Sequence, residues 1–122
     1  MKYEDRELLV KDICARLPYG VKAKEHDDEP PFKIVAYDGS EFFDDDGWGH
    51  KVENIKLYLY PMESLNDKKK MDEYKKTLAL VGVNWHFTNH SLDWLYKNHI
   101  DIYSFIDMGI AVDATGLGIY ME

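Results

Sequence analysis

The sequence predicts one α+β domain with an N-terminal helix, an antiparallel β-meander of four or five strands, and a helical C-terminal third. Apolar residues recur at helical spacing before Pro18, and they alternate with polar residues between positions 21 and 60. Beyond position 64, capping residues precede apolar stripes. With 122 residues, 45% of them hydrophobic, the chain is long enough to bury its own core, so residues 1–122 are predicted to form a single domain.

The first predicted element is a helix from about Glu4 to Arg16. Three apolar residues share one of its faces at i, i+4 and i+8: Leu9, Ile13 and Leu17. Pro18 ends the helix, because proline cannot donate the next backbone hydrogen bond. Gly20 is predicted to take the left-handed conformation that a sharp exit requires.

The middle of the chain has the alternation of short antiparallel strands. Five candidate strands are separated by turn residues: 21–25, 32–37, 41–43, 48–52 and 55–60. Asp38-Gly39 predicts a hairpin with a type I′ turn, which needs positive φ at both central residues. A second turn is predicted at Asp45-Asp46-Gly47. Strands this short curl readily into a half-barrel, and a short helical turn at 55–60 is the alternative to the fifth strand.

The last third is predicted to be mostly helical. Ser64 or Asn66 would cap a helix that runs to about Lys76, and Asn89 or Ser91 would cap another. Between these helices, residues 83–87 alternate like a strand. A further short helix is predicted after a capping Asp101. The residues from 114 to 118 are predicted to fray.

The excess of negative charge lies on one stretch of the chain. Of 23 acidic and 15 basic residues, ten acids but only two bases fall between Glu25 and Glu53. Such a stretch repels phosphate backbones, so direct nucleic-acid binding is not expected. Solubility explains the charge most simply, and the alternatives are a dock for a basic partner or a weak divalent-cation site. The five lysines at 68–70 and 75–76 form a modest basic patch, predicted to be solvated.

No apolar run is long enough to span a bilayer, and the charged N-terminus lacks the apolar core of a signal peptide. Cys14 is the single cysteine, so no intrachain disulfide is possible. A cytoplasmic protein without membrane association is therefore expected. Cys14 itself lies on the apolar side of the first helix, where a cysteine is an inert hydrophobe and not a nucleophile.

Two groups of residues are candidate metal ligands. His86 and His90 have the i, i+4 spacing of zinc-binding histidines, but the predicted helix begins between or after them. Asp44, Asp45 and Asp46 resemble part of a calcium loop, although three consecutive aspartates of an extended backbone cannot all face one ion. Ordinary surface or capping histidines and a charged hairpin loop are the favoured interpretations. No metal and no cofactor are therefore predicted.

A candidate interaction surface combines Tyr58 and Tyr60 with the acidic residues Asp44, Asp45 and Asp46. If the apolar residues of strand 55–60 face the core, both tyrosines lie on its opposite face. Tyrosines that keep a polar edge are favoured at interfaces. The alternative is that helices cover this face and the tyrosines belong to the core.

Three blocks of the chain carry a resemblance: ELLVKDICARLPYGVK at 7–22, IKLYLYPMES at 55–64, and DWLYKNHID at 93–101 together with 106–111. These blocks resemble a group of short uncharacterised proteins from gut Bacteroidales genomes and their prophage-like regions. The chain departs from that group at Leu57 and at residues 100–103. The resemblance implies a mobile-element setting, but it implies no activity and no catalytic residues.

The sequence thus favours a non-enzymatic protein-interaction or accessory protein, with another protein as its partner. One alternative is an acidic DNA mimic that occupies a DNA-binding protein. The other is a metal-assisted enzyme that uses Asp44, Asp46, His50 or His86. No pattern among these residues meets the geometric requirements of a catalytic site, so an enzyme is the less favoured class.

Overall fold

The computed structural model describes residues 2–77, 79–81, 84–86 and 89–120, and it begins with the predicted N-terminal helix. This helix, α1, spans Tyr3–Arg16. Leu17–Tyr19 form a single 3₁₀ turn, and Gly20 leaves it at φ 71°. The predicted helix, its stop at Pro18 and the left-handed glycine are all confirmed.

Within the described part of the chain, eight strands and two further α-helices follow α1. The strands are β1 (Lys22–Lys24), β2 (Phe32–Tyr37), β3 (Phe42–Asp44), β4 (Gly49–His50), β5 (Lys56–Leu59), β6 (Ala79–Val81), β7 (Asn84–His86) and β8 (Ala111–Asp113). The helices are α2 (Lys68–Lys75) and α3 (Asn89–Lys97). Six strands form one sheet in the order β4-β3-β2-β1-β5-β8, and β6 pairs with β7 in a separate hairpin. The chain therefore has the predicted α+β class.

The six-stranded sheet is mixed, so the prediction of a purely antiparallel meander is wrong. β1 to β5 pair antiparallel as predicted, but β8 lies parallel to β5, with Leu57 opposite Ala111 and Leu59 opposite Asp113. A parallel pair needs a long crossover. Here more than fifty residues separate the two strands, and no local pattern in the sequence indicates such a pairing.

Both predicted hairpins of the acidic stretch are present, with one change of turn type. Asp38 accepts hydrogen bonds from the backbone N–H groups of Ser40 and Glu41, both at 2.8 Å. Gly39 has φ 97°, whereas Asp38 does not have positive φ, so the turn is not type I′. A bulge between Ile34 and Ala36 shifts the register of β2 against β3. Because a bulge adds one residue to one strand, Ala36 is exposed instead of facing the core with Ile34.

The C-terminal third is not the helical segment that was predicted. Its described residues form α2, the β6–β7 hairpin, α3, a series of turns and β8. Asp67, and not Ser64 or Asn66, caps α2 through the N–H of Lys69 at 3.0 Å. α3 begins at Asn89, so the predicted caps Asn89 and Ser91 both lie inside the helix, and the position before it is outside the described residues. Asp101 caps turns instead of a helix, accepting from the N–H groups at positions 105 and 106 at 2.9 Å each.

The main core lies between α1 and the sheet. Its buried residues come mostly from α1 and from β1, β2, β3 and β5: Leu9, Ile13, Val21, Ala23, Ile34, Phe42, Val52, Ile55, Leu57, Leu59, Phe105 and Ala111. A second cluster forms where α2 meets α3, around Leu65, Tyr74, Leu95 and Ile100. Among the described residues, no helix has both the length and the apolar character to cross a membrane.

The tail after β8 is anchored, contrary to the prediction of fraying. Ala114 is fully buried, and its N–H donates to the carbonyl of Leu59 at 2.8 Å. The hydroxyl of Tyr120 donates to the carbonyl of Tyr58 at 2.6 Å and accepts from the N–H of Lys22 at 2.9 Å. The β1–β5 ladder ends with the pair Ala23 and Leu57. Lys22 and Tyr58 lie next to this pair, so the Tyr120 hydroxyl joins the two strands where their direct pairing ends.

Replacing Tyr120 with phenylalanine is expected to lower the free energy of unfolding by about 1–2 kcal/mol, because it removes the group that joins Lys22 to Tyr58 and leaves backbone groups without this partner. Urea denaturation followed by circular dichroism measures the change. Tyr3→Phe is the control, since that tyrosine is 70% exposed. An unchanged midpoint for Tyr120→Phe would show that water replaces the hydroxyl at no cost.

Candidate functional site

The β3–β4 hairpin builds the centre of the candidate site through Asp44. One oxygen of Asp44 accepts hydrogen bonds from the backbone N–H groups of Asp46 at 2.9 Å and Trp48 at 3.0 Å. Gly47 allows the chain to reverse, at φ 91°. The turn thus holds Asp45, Asp46 and Trp48 at the hairpin tip in a geometry set by a single carboxylate.

The other oxygen of Asp44 lies 2.8 Å from Nε2 of His50. Nδ1 of His50 lies 3.3 Å from a carboxylate oxygen of Glu25, in the loop after β1. The imidazole ring stacks on Phe32, with 4.3 Å between ring centroids and planes 10° apart. Asp44 and His50 are 6% and 8% exposed. A protonated His50 would donate to both carboxylates at once, and it would balance part of their charge.

The pKa of Asp44 reflects this setting. Burial raises the pKa, but hydrogen bonds from His50 and from the N–H groups of Trp48 and Asp46 outweigh burial and hold the pKa below its ordinary value. Asp44 is therefore ionised in the folded protein at neutral pH. Its negative charge stabilises the hairpin tip.

The opposite wall is the loop after β1. Glu29 accepts hydrogen bonds from the N–H groups of Glu25 at 2.8 Å and His26 at 3.0 Å, and these bonds lower the pKa of Glu29. Together the two walls enclose what we call the acidic cleft, a depression of about 530 Å³. Its lining includes five carboxylates and one tryptophan: Glu25, Glu29, Asp44, Asp45, Asp46 and Trp48.

Trp48 is the most exposed large apolar side chain among the described residues, at 73%. The sequence predicted strand alternation from Trp48 through His50 to Val52, but only His50 lies in a strand and only His50 and Val52 are buried. An exposed indole next to aspartates combines a π face with negative charge. That combination attracts cations, and guanidinium groups in particular.

The three aspartates approach each other more closely than predicted. Asp44, Asp45 and Asp46 each bring one carboxylate oxygen within 4.8 Å of the others, because Asp45 and Asp46 lie in a turn and not in an extended strand. Both oxygens of Asp44, however, already accept hydrogen bonds. Calcium takes about six to eight oxygen ligands, and two exposed aspartates supply few of them. This arrangement gives a metal site little support.

The two predicted tyrosines differ in environment. Tyr58 is 7% exposed, and its carbonyl accepts the Tyr120 hydroxyl. Tyr60 is half-buried, with Nζ of Lys70 at 5.2 Å from its ring centroid. Tyr58 therefore fits the core alternative and not an exposed pair. Neither tyrosine lines the acidic cleft that contains Asp44.

The remaining candidates do not add to the cleft. Cys14 packs against the main core, and burial raises the pKa of its thiol, which agrees with an inert cysteine. His86 ends β7, and His90 lies in the first turn of α3, so one helix does not carry both histidines. Their side chains lie outside the described residues.

Sequence reasoning named Asp44, Asp46 and His50 but missed the part played by Glu25 and the exposure of Trp48. The Asp44–His50 pair was accessible from the sequence, because a turn at 45–47 brings the two residues together across a hairpin. The contact with Glu25 depends on how the loop after β1 folds back over the sheet. No spacing in the sequence indicates that contact.

Comparisons with family models, curated proteins and solved structures return no match for this chain. The resemblance to Bacteroidales and prophage-region proteins therefore stays a prediction. The acidic cleft is the feature of the described residues on which a proposed function can rest.

Proposed function

We propose that this protein is a non-enzymatic interaction module whose acidic cleft binds an arginine- or lysine-bearing segment of a partner protein. The observation that carries the proposal is the exposed Trp48 beside Asp45 and Asp46. An indole face attracts a cationic side chain, and neighbouring carboxylates accept its hydrogen bonds. Because the resemblance implies a mobile-element setting, we also propose that the protein has an accessory role in such an element.

The hydrogen bonds of the cleft support binding more than catalysis. Both nitrogens of His50 face carboxylates, and Asp44 is engaged by His50 and by two backbone N–H groups. A general base needs a free acceptor that can reach the substrate proton. These contacts instead fix the backbone at Trp48 before a partner arrives, which reduces the backbone entropy lost on binding.

Arginine suits this cleft better than lysine. Its planar guanidinium stacks on an aromatic face, and its five donors can pair with carboxylates in a bidentate manner. Asp45 and Asp46 are both exposed, so a cation on Trp48 meets carboxylates that still face solvent. We therefore expect an arginine-containing peptide to bind more tightly than the corresponding lysine peptide.

Trp48→Ala is expected to weaken binding of a short arginine-rich peptide about 5- to 30-fold, as the loss of a cation–π contact of roughly 1–2 kcal/mol requires. Fluorescence polarisation of the labelled peptide measures the affinity. Tyr3→Ala is the matched control, because Tyr3 is a comparably exposed aromatic residue, at 70%, and does not line the cleft. Equal affinities for wild type and both variants would contradict the proposed site.

Salt dependence gives a second readout of the same proposal. Affinity that is dominated by charge falls as ionic strength rises. We expect Asp45→Asn/Asp46→Asn to weaken binding and to reduce the salt dependence, while Trp48→Ala weakens binding and leaves the salt dependence intact. A peptide that binds equally well at low and high salt would not be using this cleft.

A further inference from the structure

A second depression shares no lining residue with the acidic cleft, and its charge is opposite. We call it the basic pocket. Its volume is about 230 Å³, and its lining residues are Tyr60, Lys70, Lys97, Asn98, His99, Ile100 and Tyr120. None of these described lining residues is acidic, although the chain has 23 acidic residues and a net charge of −8. Two lysines thus line this pocket without a carboxylate among the described lining residues.

The end of α3 sets the shape of this pocket. Ile100 N–H donates to the carbonyl of Leu95 at 2.9 Å, and His99 N–H donates to that of Tyr96 at 3.1 Å. This pair of bonds is the Schellman arrangement, whose left-handed position is normally a glycine. Here that position is His99, at φ 60°. This conformation is strained for a residue other than glycine, so the imidazole is placed here against a local backbone preference.

The imidazole is held by aromatic stacking. His99 lies on Tyr120 with 3.6 Å between ring centroids and planes 8° apart. Tyr120 is fixed in turn by its hydrogen bonds to Lys22 and Tyr58. The carbonyl of His99 accepts from the N–H of Tyr60 at 2.8 Å. The pocket wall is therefore tied to β1, β5 and α3 and is formed before any ligand arrives.

Lysines from two different helices face this wall. Lys70, on α2, lies over the ring of Tyr60, with Nζ at 5.2 Å from the centroid. Lys97 is in the last turn of α3. Two ammonium groups supply hydrogen-bond donors to the lining of one small space, beside the Asn98 amide, which itself donates to the carbonyl of Trp94 at 2.9 Å. Charged donors of this kind form the strong hydrogen bonds that an oxyanion with several acceptor oxygens accepts.

From this juxtaposition we infer that the basic pocket binds a phosphate group, with Lys70 and Lys97 as the charged donors and His99 and Asn98 at the wall. Sites for drug-sized ligands measure about 300–1,000 Å³, so a pocket of this size fits a small anion. Inorganic phosphate and a phosphate monoester offer the same terminal oxygens. This site is separate from the acidic cleft and does not depend on the function proposed for it.

The test is a titration with inorganic phosphate, followed by amide chemical shifts in ¹H–¹⁵N spectra at an ionic strength held constant with sodium chloride. We expect saturable shifts at Tyr60, Asn98 and His99. Lys70→Gln/Lys97→Gln should weaken phosphate binding at least tenfold. Lys69→Gln/Lys75→Gln is the control pair, because it removes the same charge from two exposed lysines that do not line the pocket.

Three results would overturn the inference: chloride alone producing the same shifts, shifts spread over all lysine-rich surfaces, or an equal loss of affinity in both double variants. Phenyl phosphate distinguishes the two sources of the ligand. Tighter binding of phenyl phosphate than of inorganic phosphate assigns the pocket to a phosphate ester, and equal binding assigns it to free phosphate. Thermal melting of each variant confirms that a loss of affinity is not a loss of folding.

Discussion

Replacing Arg16 with methionine is expected to lower the free energy of unfolding by about 3–5 kcal/mol, because it leaves the carboxylate of Asp12 buried without its partner. Both side chains are 0% exposed. Arg16 donates to Asp12 at 2.7 and 3.1 Å and to the carbonyl of Ile100 at 2.6 Å. Its guanidinium also lies 5.0 Å from the ring centroid of Tyr96. One side chain of α1 therefore contacts both Tyr96 of α3 and Ile100 in the segment after α3.

The double variant Asp12→Leu/Arg16→Met separates the ion pair from its surroundings. Buried ion pairs replaced by apolar residues of similar volume are often neutral in stability or better. We expect the double variant to recover most of the loss, with the hydrogen bond to Ile100 and the cation contact with the Tyr96 ring still missing. Urea unfolding of both variants and the wild type measures this. A single variant as stable as the wild type would contradict the structural role of the pair.

Acidification provides an independent check. Burial raises the pKa of Asp12, the Asp101 charge adds to the rise, and Arg16 opposes it. A carboxyl group with a folded-state pKa above its unfolded value takes up a proton on folding, so its site gains stability as pH falls through the folded pKa. Without Arg16 this gain should be larger. Relative to the double variant, Arg16→Met should therefore recover stability on acidification, and because the folded-state pKa is raised, the recovery should begin above the ordinary aspartate pKa of about 4.

Local patterns in the sequence were enough to predict α1, β2 and both hairpins of the acidic stretch. Each of these elements depends on residues close in sequence: a helical stripe that ends at Pro18, an alternating run, and glycines at 39 and 47 that permit reversal. The periodicity of α1 did not reveal that Arg16 is fully buried. That burial depends on Ile100, which lies 84 residues away.

The errors fall where distant contacts override local preference. Residues 101–110 have a cap and an apolar spacing suited to a helix, yet Asp101 caps turns that lead into β8 beside β5. Alternation left two environments open for Tyr58, an exposed surface and the core, and the structure leaves its side chain only 7% exposed. For the acidic cleft, sequence supplied the hairpin residues Asp44 and His50. The conformation of the loop that brings Glu25 to His50 could not be predicted from the sequence.

Asp44→Asn is expected to lower the free energy of unfolding by about 2–3 kcal/mol, since hydrogen bonds to a charged group contribute more than neutral ones. The carboxylate accepts from the N–H groups of Asp46 and Trp48 and contacts His50 at 2.8 Å. Asparagine retains one acceptor oxygen, but an NH₂ group, which donates hydrogen bonds, replaces the second acceptor oxygen. Asp45→Asn makes the same change in charge at an exposed neighbour, and we expect it to leave stability nearly unchanged.

The pH dependence of these two variants tests the role of the Asp44 charge. Because the folded-state pKa of Asp44 lies below its unfolded value, its stabilisation is present above the unfolded pKa and is lost as pH falls through the folded pKa. Wild type and Asp45→Asn should therefore lose stability on acidification below about pH 4 more steeply than Asp44→Asn does. Since the same carboxylate positions Trp48, Asp44→Asn should also weaken binding of the arginine peptide under conditions where it remains folded. If Asp44→Asn and Asp45→Asn lost stability equally steeply on acidification, the result would contradict the role of Asp44 in organising the cleft.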